Sequence, residues 1–109
     1  MYGSQKNEYI FWMLKIMNLD IRKKVLKSFF EKLSNGKKKF EIRLNDEDFK
    51  DVKEGDVLIL EEWDEIKKKY TGRKLRKKIS YFLRTKDLNF FSQKEINEKG
   101  FIVMSLEES

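Results

Sequence analysis

The chain has 109 residues, enough for one domain with one core, and its 39% hydrophobic and 14% aromatic content argues against disorder along its whole length. There are 25 Lys plus Arg against 19 Asp plus Glu, a formal charge of +6 that favours anionic partners. Cysteine and histidine are both absent, which excludes a disulfide-linked partner, Cys or His zinc sites, and Ser-His or Cys-His triads.

Residues 1–8 are polar and without period, and read as a tail; the domain is expected over 9–106, with 107–109 a second tail. From Tyr9 to Met17, Trp12, Leu14 and Ile16 alternate with Met13, Lys15 and Met17, which predicts a first strand buried on both faces. The apolar run Tyr9 to Leu14 is too short to span a bilayer and has no signal-peptide features, so a cytoplasmic protein is expected. Asp20 is a candidate N-cap for a helix in which Ile21, Val25, Leu26, Phe29, Phe30 and Leu33 form an apolar stripe ending at Asn35-Gly36. Gly36 sits where a left-handed C-cap residue belongs.

A strand over 38–44 follows directly. Phe40, Ile42 and Leu44 share its apolar face and Lys39, Glu41 and Arg43 its polar face. Glu41 and Arg43 stand roughly 7 Å apart by the strand rise, close enough to share a ligand, so this polar row is the candidate site. Asn45 to Lys53 reads as an acidic loop that tucks Phe49 inward. Gly55-Asp56 then opens a buried strand from Val57 to Trp63. Thr71-Gly72 predicts the turn into a strand over Lys74 to Arg84, with Leu75, Ile79, Tyr81 and Leu83 on its apolar face. Residues 85–100 read as loop with a helical turn near Gln93 to Asn97, and Phe101 to Leu106 as a closing strand. Together these elements predict an α+β domain with a small mixed barrel of about five strands and one amphipathic helix after the first.

Eight of the twelve residues from Lys67 to Lys78 are basic, interleaved with Tyr70 and Gly72. Lysine and arginine neutralise phosphates, and Tyr70 or Trp63 could stack on an unpaired base. Arg43, Arg73 and Arg76 carry guanidinium forks suited to phosphate or base edges, and Asn45 lies just beyond the polar row. No phosphate loop, dinucleotide fingerprint or calcium loop is present, so neither cofactor nor metal is expected. The 40% charged content without cysteine matches the surface chemistry favoured in thermophiles.

The block Gly36-Lys37-Lys38-Lys39-Phe40-Glu41-Ile42-Arg43, the run Gly55 to Leu60, Glu62-Trp63-Asp64, Tyr70-Thr71-Gly72-Arg73 and Gly100 to Leu106 together resemble the ASCH domain of the PUA-like superfamily, in a small microbial and phage branch. The resemblance covers about residues 12–106 and implies a PUA-like barrel whose cleft is lined by the polar face of the Gly36 to Arg43 segment. It also implies RNA or nucleotide recognition; joined to the basic run, it makes Lys38, Glu41, Arg43, Asn45, Trp63, Tyr70, Arg73 and Arg76 the candidate binding set, in a protein expected to be a monomer. Some ASCH relatives are similar to amidohydrolases acting on acetylated cytidine, in which a lysine matching Lys38 and a threonine at the Glu41 position carry the reaction. Glu41 in place of that threonine favours binding over hydrolysis. An acid-base pair of Lys38 and Glu41 remains the enzymatic alternative, provided that Lys38 sits in the turn before the strand.

Overall fold

The computed structural model describes residues 8–10, 12, 13, 16–88, 92 and 94–108. Its elements run β1 (Asp20–Leu26), α1 (Lys27–Ser34), β2 (Phe40–Leu44), a 3-10 turn (Glu47–Phe49), β3 (Val57–Asp64), β4 (Lys69–Arg84), a 3-10 turn (Thr85–Asp87), α2 (Lys94–Glu98) and β5 (Phe101–Glu108). The strands form one five-stranded sheet in the order β1-β3-β4-β5-β2, curled into a half-barrel. β1 runs parallel to β3, with Asp20 opposite Val57 and Leu26 opposite Trp63; all other neighbours are antiparallel. The parallel pair is possible because α1 carries the chain away from β1 before it returns.

Val57, Leu58, Ile59 and Leu60 make β3 the most deeply buried strand, as a continuous β-branched and aliphatic run should be. Around it pack Ile21 and Val25 of β1, Phe30 and Leu33 of α1, Ile79 of β4, and Ile102 and Met104 of β5. Phe49 is fully buried beneath its loop. Arg84 ties that loop down, donating to the Phe49 carbonyl at 2.6 Å and to Asn45 Oδ1 at 3.0 Å. Asp56, also fully buried, holds the entry to β3: Oδ1 accepts from the Leu19 amide and Lys53 Nζ, and Oδ2 from the Lys53 amide.

Several expectations are corrected. The described residues of the Tyr9 to Met17 run are helical up to Ile16 where a strand was expected, with Tyr9, Ile10, Trp12 and Ile16 exposed. The single helix expected from Asp20 is instead β1 followed by α1. Ile21 and Val25 are four apart, a spacing that puts side chains on one side of a helix and equally on one face of a strand, and pairing with β3 decides between them. The turn between β3 and β4 is not Thr71-Gly72 but residues 65–68. There Asp64 Oδ1 accepts from the amides of Ile66 and Lys67, and Lys68 takes a φ of +52°. Tyr81 faces solvent because the pairing of β4 with β5 slips between Ile79 and Tyr81, which reverses the parity and turns Phe82 toward the core. β5 runs on to Glu108, past the end expected at Leu106.

Candidate functional site

β1 and β2 are the two edges of the sheet, and the half-barrel stays open between them. Lys24, Val25 and Leu26 of β1, Phe29 of α1, and Lys38 with Phe40 to Arg43 line a cleft of about 440 Å³ along this seam. The local sequence sets it up in two steps. Gly36, at a φ of +82°, reverses the chain after α1, and the Lys38 amide then donates to the Lys32 carbonyl at 2.9 Å. This fixes Lys38 just ahead of β2. Glu41 then points inward and is only 3% exposed, whereas Ile42 and Leu44 of the same strand are 57% and 54% exposed. The strand therefore turns its polar side to the interior and its apolar side to solvent, the reverse of an ordinary half-buried strand.

The inward carboxylate is held on both oxygens. Lys38 Nζ donates to Glu41 Oε1 at 2.5 Å and to the Phe40 carbonyl at 2.8 Å, while Arg43 Nε donates to Glu41 Oε2 at 2.8 Å. A buried carboxylate with two charged donors acts as a brace, orienting the ammonium and the guanidinium at the wall of the cleft. The Nη1 and Nη2 groups of Arg43 have no acceptor among the described residues. With Lys24 the seam holds three cations against one carboxylate. Lys24 Nζ sits 3.7 Å from the centre of the Trp63 ring, which meets Tyr70 edge to face at 4.9 Å.

A second cavity of about 480 Å³ lies at the β3-β4 end, lined by Glu62, Asp64, Tyr70, Thr71 and Arg73 with neighbouring lysines. Arg73 Nη1 donates to Glu31 at 2.7 Å, and this bond raises the already high Arg73 pKa. Asp64, whose carboxylate caps the 65–68 turn, is held below the usual carboxylate range chiefly by the Lys67 amide, with the Ile66 amide and Lys27 adding to the effect.

Residues 22–106 match the family profile described as DUF3850, a domain of unknown function. The chain belongs to the DUF3850 family. No curated protein matches it significantly in sequence. The crystal structure of "hypothetical protein PH0355" is similar to it with a TM-score of 0.58 at 19% identity, over 82% of this chain and 98% of that one. At that identity the likeness is one of fold alone. The DUF3850 match begins inside β1 and ends inside β5, so it takes in both cavities.

Within this DUF3850 domain the residues singled out in the sequence separate into groups. Lys38, Glu41 and Arg43 converge in the seam, and Lys38 does stand in the turn ahead of β2. Trp63 and Tyr70 approach the seam through Lys24, and Tyr70 also lines the second cavity together with Arg73. Arg76 pairs with Asp20 at 3.5 Å on the exposed surface, and Asn45 is held by Arg84 away from the seam. Lys24 and Phe29 were missed as seam residues because the sequence placed both on one long helix. Glu62 was missed as a site because a glutamate in an acidic run carries no sign of burial; the parity it shares with Leu58 and Leu60 was the available signal.

Proposed function

We propose that this DUF3850 domain is a PUA-like module that binds single-stranded RNA or a nucleotide in the seam between β1 and β2. The observation that carries the reading is the braced carboxylate: Glu41, buried on the inward face of an edge strand, presents Lys38 and Arg43 to an open cleft. A polar face that merely keeps a sheet soluble would point outward. Arg43 offers a planar fork to a phosphate or a base edge, and Lys24 and Lys38 add point charges. The half-exposed rings of Phe29 and Phe40 at the rim are suited to stacking on unpaired bases. The curled, mixed five-stranded sheet supports the PUA-like assignment as far as a small α+β barrel-like fold goes.

Fluorescence anisotropy with a labelled single-stranded RNA of about ten nucleotides tests this at low salt, where phosphate contacts are strongest. Binding should weaken as salt rises. Arg43→Ala should lower affinity about tenfold and reduce the slope of log K against log salt by about one. An Arg43→Ala protein that binds as tightly as wild type would refute the proposal.

One observation favours a second reading. Lys38 donates to the Glu41 carboxylate at the wall of the open cleft, which sets an acid beside a base where a small amidohydrolase acting on an acylated nucleoside would need them. On that reading, release of cytidine from acetylcytidine disappears in Lys38→Ala. Absence of turnover by the wild-type protein rules it out.

A further inference from the structure

Glu62 is 1% exposed, and its Oε2 stands out among the described side-chain oxygens in being both shut off from solvent and without a hydrogen-bond partner. Its surroundings explain how it comes to be there. β3 and β4 pair regularly up to Glu61 opposite Lys74 and resume at Trp63 opposite Tyr70, so Glu62 alone faces Thr71, Gly72 and Arg73. Gly72, at a φ of +91°, allows this bulge, which turns Thr71 and Arg73 back onto the carboxylate. Thr71 Oγ1 donates to Oε1 at 2.5 Å. Oε2 is left 3.6 Å from Arg73 Nη1, which is already engaged by Glu31 at 2.7 Å.

A buried acceptor without a donor is costly and calls for a ligand that supplies one. A cation is disfavoured, because Lys27, Lys67, Lys69 and Arg73 outnumber the two carboxylates of the cavity, Glu62 and Asp64, and no cluster of three His, Cys, Asp or Glu side chains exists among the described residues. A bare phosphate is disfavoured as well, since Glu62 would repel it. The cavity therefore fits a molecule that joins a neutral N–H donor to an anion, with a flat ring between them to lie on Tyr70, which is 50% exposed.

We propose that this cavity is a base-reading subsite: a nucleobase amino group donates to Glu62 Oε2, the ring lies on Tyr70, and the attached phosphate sits on Lys67 and Lys69. A carboxylate oxygen only accepts, so a base seated with its 4-position at Oε2 offers an amino donor if it is cytosine and a repelled carbonyl if it is uracil. Uracil is left to donate through its ring N3–H from a shifted pose, and the subsite therefore prefers amino-bearing bases. Lys24, which lines the seam and lies 5.8 Å from the Tyr70 ring centre, connects the two cavities. The choice of ligand class rests on the nucleotide reading of the seam.

Calorimetric titration with cytidine and uridine 5′-monophosphates at low salt tests the subsite. The wild-type protein should bind the cytidine nucleotide about tenfold more tightly. Glu62→Gln, which places an N–H donor beside the carboxamide oxygen, should abolish or invert that preference while the melting temperature stays near the wild-type value. Tyr70→Ala should weaken both nucleotides alike. Equal binding of the two by wild type, or a preference that survives in Glu62→Gln, overturns the proposal. Should Glu62→Gln not fold, Tyr70→Ala decides, and unchanged affinity in that variant is the overturning result. The two readings fail separately, because Arg43→Ala reports on affinity for RNA of any sequence and Glu62→Gln on the ratio between bases.

Discussion

Glu41 and Glu62 lie in the same sheet and are almost equally buried, yet their surroundings treat them in opposite ways. Glu41 accepts from Lys38 on one oxygen and Arg43 on the other, so it is fully used within the protein. Glu62 accepts a hydrogen bond only from Thr71, and its other oxygen has only a loose ion pair, 3.6 Å from Arg73 Nη1, beside a cavity. A satisfied carboxylate fixes the position of its donors, and the functional groups at the seam are then the cations it holds. An unsatisfied one is itself the group on offer. Two acids of similar burial thus mark two kinds of site, distinguishable only by counting partners.

The contrast can be broken by isosteric substitution. Glu41→Gln sets an amide N–H2 against a charged donor and should destabilise the fold by about 2 kcal/mol, given that hydrogen bonds to charged groups contribute about 1.5–3 kcal/mol. Urea denaturation would report this as a lower midpoint with an unchanged slope. An intermediate effect is expected on acidification. The folded-state pKa of Asp64 is lowered, so the stability it contributes is complete above the unfolded-state value and disappears as pH falls through the folded value. Wild type and Asp64→Asn should therefore differ most in melting temperature at neutral pH and converge below about pH 4, so that the Asp64→Asn protein shows the flatter acid limb. The smallest effect belongs to Glu62→Gln, which should change stability by less than about 1 kcal/mol, because no hydrogen bond to Oε2 is lost and its ion pair of 3.6 Å is to a half-exposed Arg73. Equal losses for Glu41→Gln and Glu62→Gln would erase the distinction.

The β2 side of the seam was legible in the sequence, because its parts are local. A glycine after an apolar-striped segment, a lysine in the turn and an alternating strand place Lys38, Glu41 and Arg43 within a few residues of one another. The inversion of β2 was not legible, since parity tells which side chains share a face but not which face meets the core. That is decided by β5, which pairs with β2 over Phe40 to Leu44. β1 was hidden because the spacing of Ile21 and Val25 fits a helix and a strand alike, and its partner β3 lies more than thirty residues on. The two bulges were illegible for a similar reason: Gly72 reads as a turn, and only the cross-strand register reveals that the turn is at 65–68. Glu62 became a candidate only when that register placed it opposite Thr71-Gly72-Arg73.

Binding at the braced seam is the central claim, and amide chemical shifts followed during titration with a short single-stranded RNA address it most directly. The largest shifts are predicted at Lys24 to Leu26 and Lys38 to Arg43, on the two edge strands that face each other across the cleft. Shifts confined to the exposed basic face of β4, at Lys74 and Lys78, would mean that RNA is attracted by charge alone and would contradict the assignment of the seam.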